Sequence, residues 1–194
     1  MRIIGLCGRS GSGKGSFCKI AAKNGIKVID CDVVYKELVS KPSECLFEIA
    51  KHFGSDAIKD QSLNREYLAE IVFSDKSKLI LLNKITHKYI RAEVNKILAD
   101  ANDDDIIILD APTLFESGID EICDTVIGIL ASDTACAERI TLRDGISTEK
   151  ALSRLSNQLT NDFIIEHSDI VVYNESSLTE LEKASESVIA SLRR

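Results

Sequence analysis

The chain lacks several things, and each absence removes a class of function. In 194 residues no apolar run approaches the length of about 18 that a membrane-spanning helix needs, and the first residues read as a short strand, not a signal peptide. No two cysteines stand at C-x-x-C spacing, and three histidines are too few and too scattered to complete a zinc site. Cys7, Cys18, Cys31, Cys45, Cys123 and Cys136 are therefore expected to be reduced, mostly buried filler in a cytoplasmic protein. Nor is there a basic excess. The 24 lysines and arginines face 31 aspartates and glutamates, giving a net charge of −7 and a pI near 5.1, which argues against a nucleic-acid binder. Internal repeats and low-complexity linkers are absent too. What remains, 44% hydrophobic and 28% charged residues, suits one globular domain with a small insertion and a core that needs neither disulfide nor metal.

Apolar runs alternate with helical patterns along the chain. Arg2–Cys7 reads as a buried strand, Lys14 to about Asn24 as an amphipathic helix, and Ile26–Ile29 as a second strand. Residues 33–101 read as almost wholly helical, an insertion between the second and third strands. Ile106–Leu109, Thr125–Leu130 and Ile170–Tyr173 are three further apolar strands. Ser132 is placed to cap a helix running through Arg139, and Ser177-x-x-Glu180 is a capping box opening the last helix. Fully apolar strands separated by helices predict an α/β fold, three layers deep, with a five-stranded parallel sheet buried on both faces. Ligands of such sheets bind beyond the carboxyl ends of the strands, where the glycine run, Asp30, Asp32, Asp110 and Asn174 all fall.

Gly8-Arg9-Ser10-Gly11-Ser12-Gly13-Lys14 has the G-x-x-x-x-G-K spacing of a phosphate loop, between a strand and a helix. Glycines let successive backbone N–H groups face a phosphate, the helix offers its positive end, and Lys14 reaches the β- and γ-phosphates. The alternative is a flexible glycine turn with an ordinary surface lysine. One residue departs from the pattern: Gly15 stands where a hydroxyl usually ligates magnesium, and Ser16 is displaced about 100° around the helix. Magnesium is then expected to be held by ATP oxygens and waters, with Ser16 and Asp32 as candidate protein contacts and Asp32 or Asp110 holding waters.

Asp30 and Asp32 straddle one residue at a strand end. One can accept a proton from an attacking hydroxyl while the other orients a metal-bound water; the alternative for Asp32 is a helix N-cap. Arg139 and Arg143 stand four apart on a helix, and Arg154 follows a turn at Asp144-Gly145. Three arginines in a helical hairpin suit the lid of a small-molecule kinase, although each alone also suits a solvated helix face. Asp103-Asp104-Asp105 reads as a solvated turn, since adjacent side chains diverge. A GTPase fits poorly: Asn83-Lys84-Ile85-Thr86 lacks the aspartate of N-K-x-D, and there is no D-x-x-G.

Six segments in register resemble the dephospho-CoA kinase family across nearly the whole chain. The phosphate loop is one. Val28-Ile29-Asp30-Cys31-Asp32 looks like the family's V-I-D-A-D, and Leu109-Asp110-Ala111-Pro112-Thr113-Leu114-Phe115-Glu116 its L-D-x-P-L-L-F-E. Ser62–Phe73 with Leu82-Asn83-x3-His87 resembles the acceptor-binding helical segment; Arg139-x3-Arg143-Asp144-Gly145, Arg154-x3-Gln158 and Asn174 resemble the lid and adenine-side segments. Gly15, Tyr35, Lys36, Lys88 and Thr113 depart from the pattern. The resemblance implies a P-loop core of residues 1–32 and 102–194, a lid near 139–165, and a helical insertion, 33–101, that binds the acceptor. It implies transfer of phosphate from ATP, with Mg2+, to the ribose 3′-hydroxyl of dephospho-CoA. Asp32 is the implied base, with Lys14 and Arg143 neutralising charge. Gly8, Arg9, Ser10, Gly11, Ser12, Gly13, Lys14, Gly15, Ser16, Arg139, Arg143 and Asn174 are the implied ATP contacts. Asp32, His87, Asp110, Leu114 and Arg154 are the implied acceptor contacts, His87 having a structural hydrogen bond as its alternative. His52 and His167 carry no role. The partner is a small molecule, not nucleic acid or a membrane, and the enzyme is a monomer or weak homo-oligomer. Two rivals remain: a kinase of another metabolite or nucleoside, and an ATP-binding regulator without activity.

Overall fold

A computed structural model describes residues 1–175 and 177–193. Its elements follow chain order. β1 is Arg2–Cys7, α1 is Lys14–Lys23 and β2 is Lys27–Asp30. α2 (Cys31–Val39), α3 (Glu44–Phe53), the two-residue strands β3 (Ile58–Lys59) and β4 (Ser62–Leu63), α4 (Arg65–Ser74) and the 24-residue α5 (Lys76–Ala99) come next. β5 (Ile106–Asp110), β6 (Thr125–Leu130), α6 (Asp133–Asp144), α7 (Thr148–Ser156), α8 (Asn161–Glu166), β7 (Ile170–Tyr173) and α9 (Leu178–Leu192) complete the chain.

The main sheet has the order β2-β5-β1-β6-β7. Its central strand β1 pairs in parallel with β5, where Ile4 stands beside Ile108, and with β6, where Leu6 stands beside Ile127. β6 in turn pairs in parallel with β7. The fold is the expected α/β sandwich around a five-stranded parallel sheet. Ile4, Leu6, Ile108, Ile127 and Ile129 are fully buried, with Phe17 and Ala21 of α1 and Leu181 and Ile189 of α9 completing the core. Strands buried on both faces leave no polar alternation, which is why they read as unbroken apolar runs.

Two compact units emerge: Met1–Ile29 with the chain from Asn102 onward, and Asp30–Ala101. The second unit has its own core, in which Val39, Cys45, Ile49, Phe53, Leu68 and Ile85 meet. A third, smaller cluster joins α6 to α7 through Cys136, Ala137, Ile140, Ala151 and Leu155.

Several sequence readings shift by a residue or more. The second strand runs Lys27–Asp30, not Ile26–Ile29, and the helix capped by Ser132 continues past Arg139 to Asp144, where Gly145 ends it at φ 65°. The segment 33–101 is not all helix. β3 and β4 form an antiparallel hairpin whose turn residues, Asp60 and Gln61, take positive φ values of 51° and 62°. The N-cap before α2 falls to Asp30, whose Oδ1 accepts from Asp32 N at 2.9 Å and Val33 N at 3.1 Å. That displaces the capping alternative for Asp32, which stands exposed in the first turn.

Candidate active site

β1 delivers the chain directly into the glycine run, and α1 begins at Lys14. Among the described residues, each of the other eight α-helices has a side-chain cap, from Asp30, Ser43, Asn64, Asp75, Ser132, Ser147, Thr160 or Ser177. α1 has none: its N-cap is Gly13, at φ 112°. The first N–H groups of a helix have no acceptor one turn back; here Ser16 N turns to Gly13 O at 2.9 Å, which leaves those of Lys14 and Gly15 at the positive pole of the helix. Lys14 Nζ donates to Gly8 O at 2.9 Å, folding its ammonium back over the same loop. Backbone donors and one cation gathered at a helix start suit the phosphates of ATP.

The loop is gripped from two sides. Asn174, just past β7 and buried, donates through Nδ2 to Ser12 O at 2.7 Å, while its own N–H reaches Leu130 O at 2.7 Å. Arg139 of α6 donates to Gly11 O at 3.0 Å and to Asn174 O at 2.9 Å. These supports approach closely: a Cβ at position 13 would lie 2.4 Å from Asn174 Nδ2, and one at position 11 would lie 2.6 Å from Cys136 O. Arg139 and Asn174, expected as ATP contacts, thus hold the loop's backbone. Arg9, expected the same way, is buried. Its guanidinium pairs with Asp133 and donates to Leu155 O at 2.9 Å.

The remaining lid arginines meet at the turn between α6 and α7. Arg143 donates from Nε and Nη2 to the two carboxylate oxygens of Asp144, at 2.7 and 3.0 Å. Arg154 donates to Asp144 Oδ2 at 2.5 Å. The hydrogen bonds from Arg143 and then Arg154 hold the Asp144 carboxyl far below the usual range. Arg143 is raised correspondingly by its bond to Asp144.

A pocket of about 150 Å³ opens beside the loop, lined among others by Cys7, Gly8, Arg9, Leu114, Phe115, Glu116 and Gln158. Phe115 meets Phe163 edge-on with centroids 5.4 Å apart, and Phe163 stacks on His167 at 3.9 Å. Leu114 is only 1% exposed, so it packs the pocket's floor more than it presents a contact. Burial pushes the Cys7 thiol up, which makes it a poor nucleophile. Asp110 ends β5, and Cys18 Sγ donates to its Oδ2 at 3.5 Å. Gly15 is exposed, with nothing within 4 Å of where a Cβ would stand, and Ser16 N bonds Gly13 O at 2.9 Å.

In the helical unit, Asp32 lies on α2 and half-buried His87 on α5. Among the described residues no three His, Cys, Asp or Glu side chains cluster as a metal site. Sequence reasoning missed Asp30 as a cap, Asp133 as the partner of Arg9, and a clasp on Ser10 by Gln158.

The family model for dephospho-CoA kinase matches residues 2–180. A dephospho-CoA kinase of Fusobacterium nucleatum is 38% identical over 185 residues, covering 95% of each chain. Among solved structures, a protein from Thermus thermophilus superposes with a TM-score of 0.82 at 28% identity, over 98% of this chain and 97% of its own. A dephospho-CoA kinase from Campylobacter jejuni superposes with a TM-score of 0.74 at 26% identity, over 100% of this chain and 98% of its own.

Proposed function

Because the chain belongs to the dephospho-CoA kinase family, we propose that it transfers the γ-phosphoryl group of ATP to the ribose 3′-hydroxyl of dephospho-CoA, giving coenzyme A and ADP. The observation that carries the phosphate side is the start of α1, which alone among the α-helices of the described residues has no side-chain cap and is preceded by the glycine loop with Lys14 folded over it.

In this reading the loop from Gly8 to Ser16 cradles the ATP phosphates, and Lys14 turns from Gly8 O to the β- and γ-phosphate oxygens. Arg139 and Asn174 keep the loop's carbonyls turned outward, so its N–H groups stay aimed at the nucleotide. Asp32 accepts the proton of the 3′-hydroxyl as its oxygen attacks phosphorus and the bond to the ADP oxygen breaks. Arg143 trades one anion, Asp144, for another, the transferring phosphoryl, and Arg154 does the same for the acceptor. Residues 33–101 hold the acceptor, with His87 and Asp110 as contacts. Magnesium, when bound, neutralises charge on the phosphate oxygens, and Ser16 and Asp32 are the residues that would hold it or its waters. The six cysteines form no disulfide, which favours a cytoplasmic enzyme.

The test is phosphate transfer from ATP by the purified protein with magnesium, offering dephospho-CoA beside a panel of nucleosides. Coenzyme A is the expected product, and Asp32→Asn should lower its rate at least about 100-fold with ATP binding retained. Phosphorylation of a nucleoside in preference to dephospho-CoA would overturn the acceptor; an active Asp32→Asn would overturn the base.

A further inference from the structure

Gln158 lies two residues beyond the end of α7 and clasps the phosphate loop at one residue. Its Oε1 accepts from Ser10 N at 3.0 Å, and its Nε2 donates to Ser10 Oγ at 3.0 Å. Both ends of the carboxamide are used, so its orientation is fixed by chemistry: Ser10 N–H can only donate. Arg9, next to Ser10, adds a parallel tie from the loop to Leu155 O near the end of α7, and a second to Asp133 at the start of α6. The loop is thus held at positions 11 and 12 by Arg139 and Asn174, and at positions 9 and 10 by the end of the lid hairpin.

We propose that Gln158 is a positioning residue for the nucleotide: it sets the Ser10 segment of the phosphate loop and ties that setting to the place of α7. The proposal rests on the reading of this loop as the ATP site. It concerns how the loop is shaped, not which group touches the reacting phosphoryl. A loop released at Ser10 loses the alignment of its neighbouring N–H groups, and its cost falls on ATP, not on the acceptor.

The experiment compares wild type, Gln158→Ala and Gln158→Glu in ATP binding by calorimetry, in the KM for each substrate, in kcat, and in thermal melting. Gln158→Ala removes two hydrogen bonds and should weaken ATP binding about tenfold, raise the ATP KM in proportion, and leave the dephospho-CoA KM within about twofold. Gln158→Glu can accept from both Ser10 N–H and Ser10 Oγ–H, so it should melt like wild type. Its new charge beside the phosphates should still weaken ATP binding, with a penalty that shrinks as salt is added. Unchanged ATP binding by folded Gln158→Ala overturns the proposal, as does an equal rise in both KM values. Should Gln158→Ala not fold, Gln158→Met, close in size but unable to hold Ser10 by these two hydrogen bonds, takes its place, and unchanged ATP binding by that variant overturns the proposal. A wild type that binds ATP yet makes no coenzyme A sinks the acceptor assignment alone, because the binding measurements still decide the role of Gln158. A wild type that does not bind ATP sinks both.

Discussion

At the scale of single residues, the loop shows which glycines are structural and which is not. Gly13 combines φ 112° with a support 2.4 Å from its missing Cβ, whereas position 15 has open space around it. A serine therefore fits at 15, and Gly15→Ser should change stability by no more than about 0.5 kcal/mol. If magnesium is now held by nucleotide and water, the added hydroxyl should lower the magnesium concentration needed for half-maximal transfer. A magnesium titration of the two proteins checks this, and identical curves would remove that account of the ion. Lys14 and the loop were legible in the sequence because their spacing is local. The clasp of Gln158 on Ser10 was not, since the partners stand 148 positions apart and no periodicity encodes them. Asp30 and Asp32 show the same limit at short range: both suit a cap, and only the helix start, two residues earlier than expected, decides that Asp30 takes the role.

At the scale of elements, the hairpin of α6 and α7 is joined at its turn by Asp144, which accepts from both Arg143 and Arg154. Its carboxyl is held below the ordinary aspartate range, so the pairing favours the folded state at every pH above the unfolded aspartate pKa of about 3.9. As pH falls below that value, the unfolded chain takes up the proton first and the contribution is lost. Melting temperature measured from pH 7 to pH 2 should therefore fall less steeply in Asp144→Asn than in wild type, with the difference confined to acid. Equal acid slopes would show that the pairing contributes nothing. The apolar strands and the capped helices of this region were readable because burial and capping leave local signatures. β3 and β4 left none: two residues cannot display an alternation, and the turn between them uses Asp60 and Gln61 in place of glycine.

At the scale of the whole molecule, the family match ends at residue 180, yet the core does not. Leu181, Ile189 and Leu192 of α9 are buried in the main cluster, and Arg2 Nη1 donates to Leu192 O at 2.7 Å. Three such side chains are worth about 5–8 kcal/mol together, comparable with the whole stability of a domain. A chain cut after residue 180 should therefore fail to give a cooperative melt and should lose ATP binding. A truncated protein that melts like the full chain would show α9 to be dispensable.

The order of the strands also has a consequence for synthesis. β1 lies at the centre of the sheet and leaves the ribosome well before its partners, Ile106–Asp110 and Thr125–Gly128. About a hundred residues must be translated before the first of them exists, which at cellular rates leaves Ile3, Ile4 and Leu6 without their strand neighbours for roughly 5–20 s. The segment made in that interval, Asp30–Ala101, has a core of its own. The nascent chain can thus carry a formed helical unit behind an unpaired apolar strand, a species that a chaperone at the tunnel exit would bind at Arg2–Cys7.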